Sequence, residues 1–341
     1  MEKEDSMKQI TVSKNEAGQR LDKLLAKYLN KAPKSFIYKM LRKKNITLNG
    51  KKAAGNEITC LGDEIKLFLS EDTYGKFSGV QVQRAKARLD IIYEDEHIVL
   101  VNKPCGMLSQ KSAASDVSLV EYLITYLLEE GCVTEESLQG FRPSICNRLD
   151  RNTSGIIVAG KSLAGLQQMS EALRHRTIHK YYLCIVRGRI EGEELIEGWL
   201  TKDAGRNQVH ISQKKAGEDS AYICTRYCPL GSGRLRSGLE VTLLKVELIT
   251  GRSHQIRAHL ASVGHPILGD LKYGQPGFNE TLRKTLGLTH QLLHSYLLEM
   301  PGLEGEFQYL GGRVFTAPPP AQFLKIAKEC GLDGYLEFKR A

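Results

Sequence analysis

Residues 145–162 read Ile145-Cys146-Asn147-Arg148-Leu149-Asp150-Arg151-Asn152-Thr153-Ser154-Gly155-Ile156-Ile157-Val158-Ala159-Gly160-Lys161-Ser162. A charged, polar segment gives way at Gly155 to four apolar residues. Ser162 then stands at an N-cap position before the helically spaced Leu163, Leu166, Met169 and Leu173. The last eight residues formally match the G-x-x-x-x-G-K-[ST] pattern of a phosphate-binding loop. Such a loop must curl its backbone N–H groups around phosphate oxygens, and an apolar strand should precede it. Ile156, Ile157, Val158 and Ala159 favour an extended buried strand instead, and polar Asn152-Thr153-Ser154 precedes the first glycine. The stretch predicts a polar loop, a central strand and a helix, with no nucleotide loop.

Outward from it, Leu89–Tyr93 and His97–Val101 predict two strands around a Glu94-Asp95-Glu96 turn, and further strands are expected at 181–186, 208–211, 221–227 and 241–248. Strands and helices do not alternate regularly enough for a parallel βαβ fold, so one large α+β domain over 89–330 is expected. A length of 341 residues leaves room for a second unit, at about 150 residues per domain. With 41% hydrophobic residues the chain can bury a core, which excludes whole-chain disorder. No run of 18 apolar residues is present, so no transmembrane helix is expected. The first six residues carry no apolar signal-peptide core, and eight scattered cysteines read as reduced core thiols. A cytoplasmic protein is expected. Lys and Arg exceed Asp and Glu by nine, which points to an anionic partner, nucleic acid first.

That surplus is concentrated. Lys31 to Lys52 holds eight Lys/Arg and no acid. Leu21, Leu24, Leu25 and Tyr28 predict one helix, and Phe36, Ile37, Met40 and Leu41 a second after Pro33. Ile46-Thr47-Leu48 reads as a strand, Asn49-Gly50 as a hairpin turn, and Ile65, Leu67 and Leu69 alternate as a further strand. The expected organisation is a tail over 1–14, a helix–helix–hairpin module over 15–72, a linker over 73–88 including Lys86, and a C-terminal tail over 331–341. Lys39, Arg42, Lys43, Lys44, Lys51 and Lys52 are the candidate RNA contacts. A basic face can be merely solvated, but helix and hairpin in this order favour phosphate contact.

In the opening stretch, Asp150 lies between Arg148 and Arg151, where nearby positive charge favours the ionised carboxylate. An Asx-turn is the competing reading, and the spacing leaves both open. On the strand around Tyr182, Cys184 and Val186 share its face, and the tyrosine reads equally as core. In Thr250–His259 a strand turns at Gly251 into a helix that Ser253 could cap, with Ile256, Leu260 and Val263 as its buried stripe. Arg257, half inside, needs an anion. Cys224/Cys228, His175/His179 and His290/His294 are spaced four apart, but no two tight pairs form a zinc set, so core thiols and surface histidines are expected.

Residues Asn147–Gly155 resemble the R-L-D-x-x-T-S-G signature of the RluA-type pseudouridine synthases. The resemblance extends to Asn102-Lys103-Pro104, Lys180-Tyr181-Tyr182, Gly251–Arg257, Gly264–Asp270 and Leu293-His294-Ser295. Residues 18–25 and 46–50 resemble the S4 RNA-binding domain. Together these cover nearly the whole chain beyond the first dozen residues. The resemblance implies isomerisation of uridine to pseudouridine in RNA with one essential aspartate, matching Asp150, and no metal or organic cofactor. It implies that Arg257 pairs with Asp150, that Tyr182 lies against the uracil, that Arg148 fills the space left by the extruded base, and that Leu298 lines the pocket. Members commonly carry His where Asn147 stands, a departure expected to alter loop packing or substrate choice rather than abolish activity. The S4-like module favours large-subunit ribosomal RNA, and a monomer is expected. The alternatives are a transfer RNA synthase and a non-catalytic S4-domain ribosome-assembly factor.

Overall fold

The computed structural model describes residues 7–79, 82–85, 88–203, 205 and 208–336. Parts of the expected tails and linker (1–6, 80–81, 86–87 with Lys86, and 337–341) lie outside the described residues.

The N-terminal unit runs β1 (Met7–Thr11), α1 (Leu21–Tyr28), α2 (Lys34–Arg42), β2 (Ile46–Leu48), β3 (Lys51–Lys52), β4 (Glu64–Phe68) and α3 (Glu71–Phe77). Its strands form an antiparallel sheet in the order β1-β4-β2-β3. Leu21, Leu24 and Leu25 of α1 meet Ile37 and Leu41 of α2 over Ile46, Ile65 and Leu67, all buried. Helical and strand periodicities thus close one small core. Asn49 and Gly50 both take positive φ, as a two-residue hairpin turn requires. Three expectations are corrected. The stretch read as a tail supplies strand β1, with Ile10 and Val12 in the core. The stretch read as a linker opens inside α3, whose Phe77 ring lies 4.3 Å from that of Phe36. Leu332, read as tail, is wholly buried in the larger core.

The remaining strands are β5 (Ile91–Glu94), β6 (Ile98–Lys103), β7 (Ser144–Ile145), β8 (Ser154–Gly160), β9 (His179–Arg187), β10 (Glu194–Asp203), β11 (Gln208–Ser212), β12 (Ala221–Arg234), β13 (Glu240–Leu248), β14 (Leu293–Glu299) and β15 (Val314–Thr316). They make one sheet in the order β11-β10-β12-β13-β9-β14-β8-β6-β5, with β7 on β8 and β15 on β14. Every pairing is antiparallel except β8 with β14. This is the mixed, largely antiparallel α+β class expected. Helices α4 (Leu119–Glu129), α5 (Ser137–Gly140), α6 (Leu163–Arg174), α7 (Gln255–Ser262), α8 (Pro276–Leu286) and α9 (Ala321–Glu329) flank it. The N-terminal unit rests α1 on α5, and Asn15 Oδ1 accepts from Leu163 N at 2.9 Å.

All seven residues of β8 are buried, so the Walker-like match is a strand. Ile157 and Ala159 join the core beneath α4, while Ile156 and Val158 join the opposite one beneath α6. Ser162 caps α6 by accepting from Gly165 N at 3.0 Å. The parallel β8–β14 contact demands a glycine. Gly155 sits at φ +113°, and a Cβ there would lie 2.1 Å from Ser295 O. Among the described residues no helix is long and apolar enough to cross a membrane. Cys60 and Cys132 are exposed, against the core reading, whereas Cys184, Cys224 and Cys330 are buried.

His294 departs from the surface expectation. It is buried where β14 meets β8. Its Nε2 donates to Ala317 O at 3.0 Å, and its Nδ1 accepts from Ser154 Oγ at 2.8 Å. Burial drives its pKa from 6.5 to about 4, with Ala317 opposing. Above pH 6.5 the imidazole is neutral folded or unfolded, and its contacts stabilise the fold fully. Below 6.5 the unfolded chain binds the proton first, so that stability is lost as the pH falls towards 4. Urea unfolding of wild-type and His294→Gln should show the cost of the substitution shrinking by about 2 kcal/mol between pH 7 and pH 5. An equal cost at both pH values would refute a neutral buried imidazole.

Candidate active site

The Asp150 loop, residues 146–153, is shaped mainly by backbone pairing. Cys146 N donates to Val158 O at 2.7 Å, Thr153 N to Asp150 O at 3.0 Å, and Gly106 N to Arg151 O at 2.9 Å. Ser109 Oγ donates to Leu149 O and accepts from Leu149 N, at 2.7 and 3.0 Å. Beneath the loop lies Lys103, 0% exposed at the end of β6. Its Nζ donates to the carbonyls of Pro104, Met107 and Arg151 at 2.9, 3.0 and 3.2 Å, using all three ammonium protons. Burial pulls its pKa down to about 8, against the charges of Cys105 and Asp150. Asn147 Oδ1 accepts from Val158 N at 2.8 Å and its Nδ2 donates to Ile156 O at 3.3 Å. Its amide therefore ties the loop to β8 much as a strand residue would.

The partner of Asp150 comes from α7. Arg257 donates from Nη1 to Asp150 Oδ2 at 2.8 Å. Its Nε and Nη2 donate to the two oxygens of the wholly buried Asp270, at 2.7 and 2.9 Å. Burial alone would lower the guanidinium pKa, but Asp270 first and Asp150 second hold it above its ordinary value. The Asx-turn alternative is not what forms: the Asp150 carboxylate faces Arg257, and the loop closes through the Asp150 carbonyl. The start of α7 differs from expectation. His254, not Ser253, is the N-cap, in a left-handed conformation with φ 56°, and it makes no side-chain cap. Gln255 locks the turn by accepting from Arg252 N and Thr250 Oγ1 and donating to Cys224 O and Thr225 Oγ1. Ile256 and Leu260 are buried as expected, but Val263 is exposed.

His254 Nε2 lies 3.9 Å from Asp150 Oδ2. Tyr273 hydroxyl accepts from Val209 N and lies 2.9 Å from His254 Nδ1. Burial lowers the His254 pKa, and Asp150 opposes the shift.

Asp150, His254, Gln255 and Arg257 line a cavity of about 730 Å³. Its wall carries Lys111, Arg148, Arg151, Arg174, Lys180, Lys202, Arg252 and Arg257 against one carboxylate, Asp150, which makes it a site for an anionic substrate. Tyr182 forms part of the floor, its phenol pushed up to about 12 by burial, with Ser295 opposing and Asp150 adding. Arg148 is exposed at the wall. Leu298 is not part of the cavity. It is buried with Phe315 and Ile156 in the core on the other side of the sheet, and Leu293 lines the site instead. Lys39, Arg42, Lys43, Lys44, Lys51 and Lys52 lie apart from the cavity on the N-terminal unit, all exposed. Among the described residues no group of three or more His, Cys, Asp and Glu is placed to hold a metal. The sequence reading gave no role to Asp270, His254 or Lys103. All three stand inside quoted motifs, and the need of Arg257 for an anion was the signal that leads to Asp270.

Residues 97–262 match the family model described as RNA pseudouridylate synthase. The chain is 31% identical over 299 residues to ribosomal large subunit pseudouridine synthase C of Pasteurella multocida (strain Pm70), covering 85% of each. It is 30% identical over 308 residues to the protein so named in Escherichia coli (strain K12), covering 86% of this chain and 88% of that one. Among solved structures it is similar to human RNA pseudouridylate synthase domain containing 1, at TM-score 0.50 and 25% identity over 66% of this chain and 81% of that one. Human RNA pseudouridylate synthase domain containing 4 shares the fold, with TM-score 0.54 and 21% identity over 70% and 92% of the two chains.

Asp270→Asn sets an amide NH2 against the buried guanidinium while keeping volume. Removing one partner of a buried pair costs about 3–5 kcal/mol, which urea unfolding should record. An unchanged midpoint would show that Asp270 does not hold Arg257.

Proposed function

The chain belongs to the RluA-type RNA pseudouridylate synthases, and we propose that it isomerises specific uridines of large-subunit ribosomal RNA to pseudouridine with Asp150 as the essential carboxylate. In this reaction the N1–C1′ bond breaks, the uracil turns over, and C5 bonds to C1′ as the C5 proton leaves. The carboxylate either adds to C1′ or takes the C2′ proton, and either role needs it ionised and close to the ribose. The observation that carries the reading is Asp150, aimed by Arg257 into a cavity whose other charges are all positive.

The remaining residues fit this reading without altering it. A role for Tyr182 against the uracil is supported by its sharing the cavity with Asp150. The target base must leave its stack to enter, at a cost of a few kcal/mol, and the exposure of Arg148 at the cavity wall supports its filling the space left behind. The ribosomal target is supported by the names of the relatives. RNA affinity is supported by the exposed cations of α2 and the β2–β3 hairpin on the S4-like unit, and a cytoplasmic setting by eight free thiols. A non-catalytic role is not favoured. The departure at Asn147, its one argument in sequence, is a structural tie to β8 beside an intact Asp150–Arg257 pair.

Tritium release from ribosomal RNA labelled at uridine C5 tests the chemistry. Wild-type protein should release tritium, while Asp150→Asn should bind the RNA with similar affinity and release none. Activity in that variant would remove Asp150 from its role. A second measurement addresses the S4-like unit. Replacing Lys39, Arg42 and Lys43 by Gln should weaken RNA binding and flatten the slope of log K against log salt by about 2–3, at roughly 0.7–0.9 per lost phosphate contact. An unchanged slope would mark a merely solvated face.

A further inference from the structure

The wall of the same cavity also includes Asn147, Ser170, Leu173, Arg174, Lys180 and Gly251. Lys180 precedes Tyr182 by two residues on β9, so both side chains leave the strand on one face, with Cα atoms about 6.7 Å apart. A Cβ added to Gly251 would lie 3.5 Å from Lys180 Nζ, which places the ammonium against bare backbone at the cavity wall. Glycine at 251 leaves that approach open.

Lys180 is half-buried and differs from Lys103 and Arg257, the buried cations of this site. Lys103 spends its protons on three carbonyls, and Arg257 spends its donors on two aspartates. Lys180 has no hydrogen-bond acceptor or carboxylate partner among the described residues. Burial lowers its pKa, and its charged neighbour, Arg176, adds to the lowering. Partly desolvated and without a counter-ion among the described residues, the ammonium gains when an anion arrives. Arg174 and Arg252 stand in the same wall, and its lone carboxylate, Asp150, is already held by Arg257. Arg174 already pairs with Glu171 at 3.3 Å, so the cation left to answer is Lys180: a neutral base edge would leave its ammonium uncompensated, whereas a phosphodiester oxygen matches it.

We propose that Lys180 binds a backbone phosphodiester flanking the target nucleotide, fixing the strand so that the extruded base lies on Tyr182 and its ribose faces Asp150. The proposal rests on the reading of this cavity as the site of a uridine in RNA.

The test uses a synthetic RNA stem-loop with one loop uridine, and versions carrying a single neutral methylphosphonate at each linkage around it. Affinity and tritium release are measured for the full chain and for Lys180→Met and Lys180→Arg, with thermal melting to confirm folding. Lys180→Met should bind the unmodified RNA about tenfold or more weakly, as the loss of a charged hydrogen bond implies. Lys180→Arg should recover most of that affinity. At one linkage beside the uridine, the methylphosphonate should weaken wild-type binding by a similar factor and weaken Lys180→Met no further. Unaltered binding by Lys180→Met, or losses that multiply at every linkage, would overturn the proposal. Affinity reads the Lys180 contact and tritium release reads the chemistry. Wild-type protein that shows the linkage pattern without releasing tritium would therefore sink the functional reading alone.

Discussion

One guanidinium shared between two aspartates organises this site. Asp270 engages Arg257 through Nε and Nη2, which fixes the plane of the group and leaves Nη1 to project at Asp150. A lysine has no such fork and could not set the direction of its remaining donor. Without Arg257, Asp150 would face a wall of cations, Arg148 and Arg151 nearest in sequence, with nothing to choose among them. The pair also joins segments 107 residues apart, so the loop before β8 and the helix after β13 are mutually positioned by it. Gln255 fixes the start of that helix, and backbone N–H groups of Lys272 and Tyr273 fix Asp270 from beyond it.

The charged groups of the cavity divide by whether the protein satisfies them. Lys103 uses all three of its protons and Arg257 three of its five N–H donors, and they hold backbone and carboxylate in place. Exposed Arg148 and half-buried Lys180 reach the cavity without an acceptor among the described residues. Buried cations that are paired build structure, whereas unpaired ones store electrostatic attraction for an incoming anion. The N-terminal unit follows the same division at larger scale. Asp22 and Glu57 satisfy Arg20 and the backbone at Ala54 and Gly55, while the cations of α2 and the hairpin face solvent.

Legibility in sequence followed burial. The strand at 154–160 was readable because both of its faces are buried and its apolar run is continuous. The helices of the small unit were readable because one face of each is buried at helical spacing. Strand β10 was not read: it is largely exposed, interrupted by Gly198, and carries Glu194, Glu197, Lys202 and Asp203. Strand β1 hid in five mixed residues whose pairing with β4 is 57 residues away in sequence. At the site, Asp150 and Arg257 could be named from motifs and their pairing anticipated. The buried state of His294 could not, because its partners Ser154 and Ala317 are set by sheet order alone. Leu298 fell on the wrong side of the sheet for a related reason: side chains alternate between faces, and the bulge in β14 between Ser295 and Leu297 resets that alternation locally.

The parallel contact between β8 and β14 has a consequence for how the protein is made. Ser154 and His294 are 140 residues apart, and β14 completes the sheet between β8 and β9. At about 5–20 residues per second, a growing chain carries β8 for roughly 7–28 s before β14 exists. During that interval β6 pairs one edge of β8 while β7 and Asn147 pair the far end of the other, and only the stretch at Ser154 and Gly155 waits for its strand partner. The floor of the cavity is equally incomplete, since Leu293 arrives with β14. A nascent chain can therefore carry all of the Asp150–Arg257–Asp270 charges and still lack a finished cavity until β14 has been made.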